Sequence, residues 1–175
     1  MVLELHPPEH GTGLAALGAL MPVFLSYVLS FIYLAIYWNN HHHLLQVVTR
    51  VDGRVLWANV HLLFWLSLVP FTTAWMGATG FAVDPVMAYG VVLLMAAVAY
   101  FVLTRALLAS HAPDSALAQA LGRDVKGKAS LALYILAIAL ASVVPWAAGA
   151  LYVLVAVIWL VPDRRIERAL RRTDG

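Results

Sequence analysis

The chain has 175 residues, of which 63% are apolar and only 11% are charged, against roughly a quarter charged in an ordinary soluble domain. Its 11 Lys and Arg and 9 Asp and Glu are too few to clothe a water-soluble protein of this length, so it reads as an integral membrane protein. With no cysteine, disulfides, thiolate metal sites and cysteine nucleophiles are excluded. The net charge of +2 is no mark of nucleic-acid binding, because every basic residue lies beside an apolar segment.

Met1-Val2-Leu3-Glu4-Leu5 has neither the basic start nor the long apolar run of a cleavable signal. Three apolar stretches follow, Leu14 to Tyr37, Val55 to Trp75 and Val86 to Leu108. Each is long enough to cross a hydrocarbon core of about 30 Å as a helix. A fourth stretch, Ala129 to Val161, is 33 residues without a charge, about 50 Å as one helix and too long for one crossing. Pro145-Trp146 at its middle breaks it, because proline interrupts a helix and tryptophan prefers the membrane interface. The expected spans there are Ala129 to Val144 and Trp146 to Val161, which makes five in all. Ahead of them, Asp114-Ser115 before an Ala/Leu-rich run predicts a short capped helix.

Orientation follows from the basic residues. Arg50 and Arg54, then Arg105, Arg123, Lys126 and Lys128, then Arg164, Arg165, Arg168, Arg171 and Arg172 fall on one side of five alternating spans. The other side carries Glu4, Glu9 and Asp84. The C-terminus is therefore expected in the cytoplasm, with a short basic tail over 163–175, and the N-terminus outside. Leu3-Glu4-Leu5 followed by Pro7-Pro8 resembles a helix end, so a further span ahead of Met1 is expected to restore the usual parity.

Polar residues inside such segments need partners or water. The densest group is Trp38-Asn39-Asn40-His41-His42-His43 at the end of the first span. Three adjacent imidazoles invite a metal, but successive helical residues point about 100° apart and do not converge on one ion. Interfacial exposure and a hydrogen-bonded packing network are the competing readings. A histidine-box oxygenase pairing His6 and His10 with the triplet fails on distance, since the bilayer separates them. Asn59 and His61 lie one turn into the second span, level with the triplet, and Ser26, Ser30, Tyr33 and Tyr37 offer further partners. Apart from Arg105 near the end of the third, no Asp, Glu, Lys or Arg lies inside the spans, as a coupled transporter would usually need. Nor is there a nucleophile with a base, a phosphate-binding loop or a zinc-protease motif, so no enzyme is expected.

Phe24-Leu25-Ser26-Tyr27-Val28-Leu29-Ser30-Phe31, continued by Tyr37-Trp38-Asn39-Asn40-His41-His42-His43, resembles the prokaryotic branch of the transmembrane protein 175 family. Its eukaryotic members are potassium channels of endosomes and lysosomes. The run from Asn59-Val60-His61 to Val69-Pro70-Phe71, then Thr73-Ala74-Trp75-Met76-Gly77 and Pro162-Asp163-Arg164-Arg165-Ile166-Glu167-Arg168, extend the likeness over nearly the whole chain. The resemblance implies six membrane helices, a homotetramer and passive potassium conduction without a carbonyl filter. The family's first helix carries an Arg…Phe-Ser-Asp motif and lines the pore with aliphatic rings. Trp, Asn and His side chains of the next two helices brace that motif. By resemblance the bracing residues here are Trp38, Asn39, His42, His43 and His61, with the histidine that makes the contact left open among His41, His42 and His43.

This sequence has no Phe-Ser-Asp and no preceding arginine. Met1 to Leu5 is similar to the outer end of the family's first helix, with Leu3 at the outermost pore-lining ring, so the chain is expected to lack most of that helix. The expectation is thus an all-α polytopic bundle, one integral membrane domain over 1–175. Its expected function is that of a potassium-permeable channel subunit in a prokaryotic inner membrane. Its partners are potassium ions, lipid and further copies of itself, with no cofactor. The alternatives are a non-conducting five-helix scaffold or regulatory subunit, and a metal-handling protein using His41 to His43.

Overall fold

A computed structural model describes residues 14–46, 48–112, 115, 118 and 124–160. Among these the secondary structure is entirely helical: α1 (Leu14–Gln46), α2 (Gly53–Ala78), α3 (Val83–Ala109), α4 (Val125–Ala141) and α5 (Pro145–Leu160). Leu3, the basic tail and Asp114 with most of its expected short helix lie outside the described residues. Helices α2 and α3, 26 and 27 residues long, are each long and apolar enough to cross a bilayer. At 1.5 Å per residue they extend about 40 Å, beyond a hydrocarbon core of about 30 Å.

The helix boundaries differ from the sequence expectation for local reasons. Helix α1 runs nine residues past Tyr37, carrying the whole polar cluster on helical backbone; no proline or glycine lies between Tyr37 and Gln46, and the Asn40 and His41 side chains find partners on neighbouring helices. Helix α2 starts two residues before Val55 because the Asp52 carboxylate accepts from Val55 N at 2.9 Å and caps the first turn. In the same way Asp124 accepts from Gly127 N at 2.9 Å and starts α4 ahead of Ala129. The long apolar stretch breaks over Ser142–Val144, not at the proline. Pro145 is instead the first residue of α5, where its missing N–H costs nothing, while proline disfavours helical backbone at Val144 before it.

Helix α3 is central, packing against α2, α4 and α5, while α1 packs on α2 and α5. Small residues allow this closeness. Ala96, Ala99, Ala137, Ala141 and Ala148 are fully buried, as expected where helices associate without a hydrophobic drive between them. Gly90 is the tightest point: a Cβ there would overlap the Tyr152 hydroxyl and Ile138. That hydroxyl donates to Val86 O at 3.1 Å, tying α5 to α3. Tyr33 of α1 donates in turn to the backbone Tyr152 O at 2.5 Å, so three helices meet around one tyrosine.

The α2–α3 connection is held by an aromatic pair. Gly80 and Phe81 both have positive φ, 60° and 63°, a backbone state that costs a non-glycine residue about 1–3 kcal/mol. The Phe81 ring stacks on Trp146 at 4.5 Å between centroids, and its N–H closes the α2 end on Met76 O at 3.0 Å. The contact with the start of α5 over-determines the strained turn.

Candidate functional site: a polar belt at one end of the bundle

The end of α1, the start of α2, the end of α3, the start of α4 and the end of α5 are joined by side-chain bonds into one belt. Its centre is Asn40, only 4% exposed. Asn40 follows Tyr33 and Ile36 on the buried stripe of α1 and precedes Leu44 by one turn. Its Nδ2 donates to Ile36 O at 2.9 Å and, across the helix interface, to Trp159 O at 3.2 Å. Trp159 Nε1 donates to Ser130 Oγ at 2.8 Å, and Ser130 Oγ donates to Lys126 O at 2.9 Å. Lys126 returns to α5, its Nζ at 3.5 Å from Ile158 O and 5.9 Å from the Trp159 ring centroid. Tyr100 of α3 donates to Asn40 O at 3.4 Å.

The three adjacent histidines diverge. His41 Nε2 meets Asn59 Oδ1 at 2.8 Å, and because an amide oxygen only accepts, His41 is the donor. His42 turns outward, with Nε2 accepting from Gln46 Nε2 at 3.0 Å and its ring stacked 6.1 Å from Trp38. His43 lies beside His42, its Nδ1 buried and without a hydrogen-bond partner among the described residues. Each ring thus serves a different neighbour. Among the described residues no three His, Cys, Asp or Glu side chains form a group suited to a metal ion. His61 accepts from Trp65 Nε1 at 2.9 Å, one turn along its own helix. His111 closes the belt: Thr49 N donates to its Nε2 at 3.1 Å, and its Nδ1 donates to Leu107 O at 2.8 Å.

Of the residues selected from sequence, Trp38 and His42 come together on the outer face of α1, with Trp38 67% exposed. His43 is next to them, Asn39 is half-buried on the same helix, and His61 sits apart with Trp65 on α2. Leu3 lies outside the described residues, as does the side chain of Ser26. The sequence reading passed over Asn40, Tyr100, Ser130 and Trp159, which carry the bonds between helices. The signal was available in spacing: Tyr33, Ile36, Asn40 and Leu44 trace one helical stripe, and Tyr152, Val155 and Trp159 another.

Outside the belt the bundle is greasy. Phe24, Phe31, Trp38 and Leu45 on α1, and Trp57, Phe64 and Phe71 on α2, are all exposed and recur every seven residues. Large apolar side chains on the outside, with buried alanines at the helix contacts, define a multi-pass membrane protein, whose solvent is lipid. Residues 1–70 match the family of the endosomal/lysosomal potassium channel TMEM175. A potassium channel of a Chryseobacterium species is 48% identical over 171 residues, covering 98% of this chain and 88% of that relative. A potassium channel of Streptomyces collinus is 41% identical over 34% of this chain and 29% of its own length. One of Chamaesiphon minutus is 35% identical over 42% of this chain and 39% of its own. No solved structure matches the chain. The chain belongs to the TMEM175 family, which is a family of membrane channels and not of enzymes.

Proposed function

We propose that the chain is a subunit of a potassium-permeable channel that lets the ion pass down its gradient through a prokaryotic inner membrane. The observation that carries this reading is the 48% identity, over nearly the full chain, to a bacterial potassium channel. Five spans cross the bilayer, with the N-terminus outside and the C-terminus cytoplasmic. In support, Arg50, Arg54, Arg105, Lys126 and Lys128 all flank the belted ends of the helices, the sign bias of a cytoplasmic face.

Several copies assemble, four by family resemblance. The seven-residue stripes of α1 and α2 support this, because apolar side chains at that interval form the seams of packed helices. Trp38, Asn39, His42, His43 and His61 brace a pore-lining helix at the cytoplasmic level, and Leu3 lines the pore at its outer end. The outward-facing Trp38–His42 stack is open to such a helix, while Asn40, Trp159 and Ser130 hold the scaffold behind it. Potassium efflux from loaded liposomes tests the function. The purified chain is expected to release potassium faster than empty vesicles; no excess release removes the channel reading.

A further inference from the structure

The bundle contains a cleft that encloses about 560 Å³ when its open mouth is counted. Helices α1, α3, α4 and α5 enclose it. Its walls are aromatic: Tyr33, Tyr37, Tyr100, Phe101, Tyr134 and Trp159. The floor, at Tyr33, Tyr134 and Val155, is fully buried, and Phe101, 37% exposed, stands at the rim.

Among the described residues one formal charge lines this space, the carboxylate of Asp124. Its Oδ1 accepts from Gly127 N at 2.9 Å, which leaves most of the carboxylate's acceptor positions unused. No Lys, Arg or His among the described residues pairs with it, and a Cβ at position 127 would collide with the carboxylate, so glycine there keeps room around it. Several other polar groups of the lining are engaged: Asn40 with two carbonyls, Ser130 with Trp159 and Lys126, and the Tyr33 and Tyr100 hydroxyls with the carbonyls of Tyr152 and Asn40. Aromatic faces and one unpaired carboxylate are the two features that recognise a cation with an apolar coat. The Trp159 ring already has an ammonium near it, that of Lys126 at 5.9 Å.

We propose that this cavity binds a small organic cation, an alkylated ammonium whose apolar substituents pack on the aromatic walls while its charge faces Asp124. An alkylammonium carries no tight hydration shell to lose on entry, unlike a bare metal ion. The site is separate from the outward Trp38–His42 stack, so it stands whether or not the chain conducts.

Titration calorimetry of the full chain in lipid nanodiscs with tetraethylammonium tests the proposal, with the uncharged 3-ethyl-3-pentanol as comparison. One saturable site per chain is expected, with the alcohol at least about tenfold weaker. Asp124→Asn keeps a side-chain oxygen for the helix cap and removes only the charge; it is expected to weaken tetraethylammonium about tenfold. Leu131→Trp, which fills the cavity from α4, is expected to abolish binding. Helix content and melting temperature of both variants establish that they fold. Absence of a saturable site overturns the proposal. So does an affinity unchanged in a folded Asp124→Asn or Leu131→Trp variant, or equal affinity for the alcohol.

Discussion

Asn40 offers the sharpest test of the belt. Its amide is buried, and its Nδ2 spans from α1 to Trp159 O near the end of α5. Asn40 therefore ties α1 to α5 through a backbone carbonyl of the neighbouring helix. Replacing it by Leu keeps a similar shape but removes the donor. Ile36 O retains its backbone bond within α1, so the loss falls on the single carbonyl of Trp159. An unsatisfied buried carbonyl costs about 1–3 kcal/mol, and interhelical bonds in bilayers lie at the low end of such values, about 0.6–1.7 kcal/mol. The expected cost of Asn40→Leu is thus about 1–2 kcal/mol. Asn40→Asp is worse at neutral pH: it deletes both N–H groups and sets a carboxylate oxygen against two carbonyl oxygens at 2.9 and 3.2 Å. An uncompensated buried charge raises the expected cost to about 3–5 kcal/mol. Tyr100→Phe, which removes only the long 3.4 Å bond to Asn40 O, is expected to cost less than about 0.5 kcal/mol. Denaturation by SDS titration in mixed micelles, followed by tryptophan fluorescence, ranks the three. Equal stability of the Leu and Asp variants would refute the argument, because it would mean that the amide meets no carbonyl across the α1–α5 interface.

Three further expectations follow from the same contacts. Gly90→Ala should cost about 1–3 kcal/mol by overpacking, and less in a Tyr152→Phe background, since the Tyr152 hydroxyl is the atom nearest the added methyl; equal costs in both backgrounds would count against the close α3–α5 approach. His41→Ala and Asn59→Ala remove the two ends of one 2.8 Å bond, so a double-mutant cycle on unfolding should give a coupling of about 0.6–1.7 kcal/mol, and strict additivity would deny the bond. Trp38→Ala deletes a side chain that is 67% exposed; it should leave unfolding of the isolated subunit within about 0.5 kcal/mol while lowering the cross-linked oligomer fraction and the potassium flux. Unchanged assembly and flux would remove Trp38 from the proposed bracing group.

How much of this was readable beforehand depends on what the solvent is. In water an apolar stripe separates the inside of a helix from its outside, but here Phe24 and Leu29 are both apolar, one facing out and the other packed against the core. Apolar content therefore located the five helices and left their rotation open. What fixes rotation is the minority of residues with something to lose in lipid. Asn40 must face protein, and with it Tyr33, Ile36 and Leu44 on the same stripe; Ser130 does the same for α4. The histidine triplet constrains rotation less. His42 is exposed, and an exposed imidazole near an interface loses little, whereas the buried Asn40 amide two residues before it is costly unless bonded.

The carboxylate caps were missed for a related reason. Asp52 and Asp124 were not read as caps, but each is an acceptor three residues before the N–H it receives, and that spacing fixes where α2 and α4 begin. The starts of α2 and α4 are thus set by side-chain acceptors, and Asn40 ties α1 to a carbonyl of α5. A rigid belt built in this way suits a subunit whose mobile part lies elsewhere. Every donor between Asn40, Trp159 and Ser130 has a fixed acceptor, so movement at this level requires breaking bonds between three helices at once. The Trp38–His42 stack has no such ties to other helices and can follow a partner that packs against it.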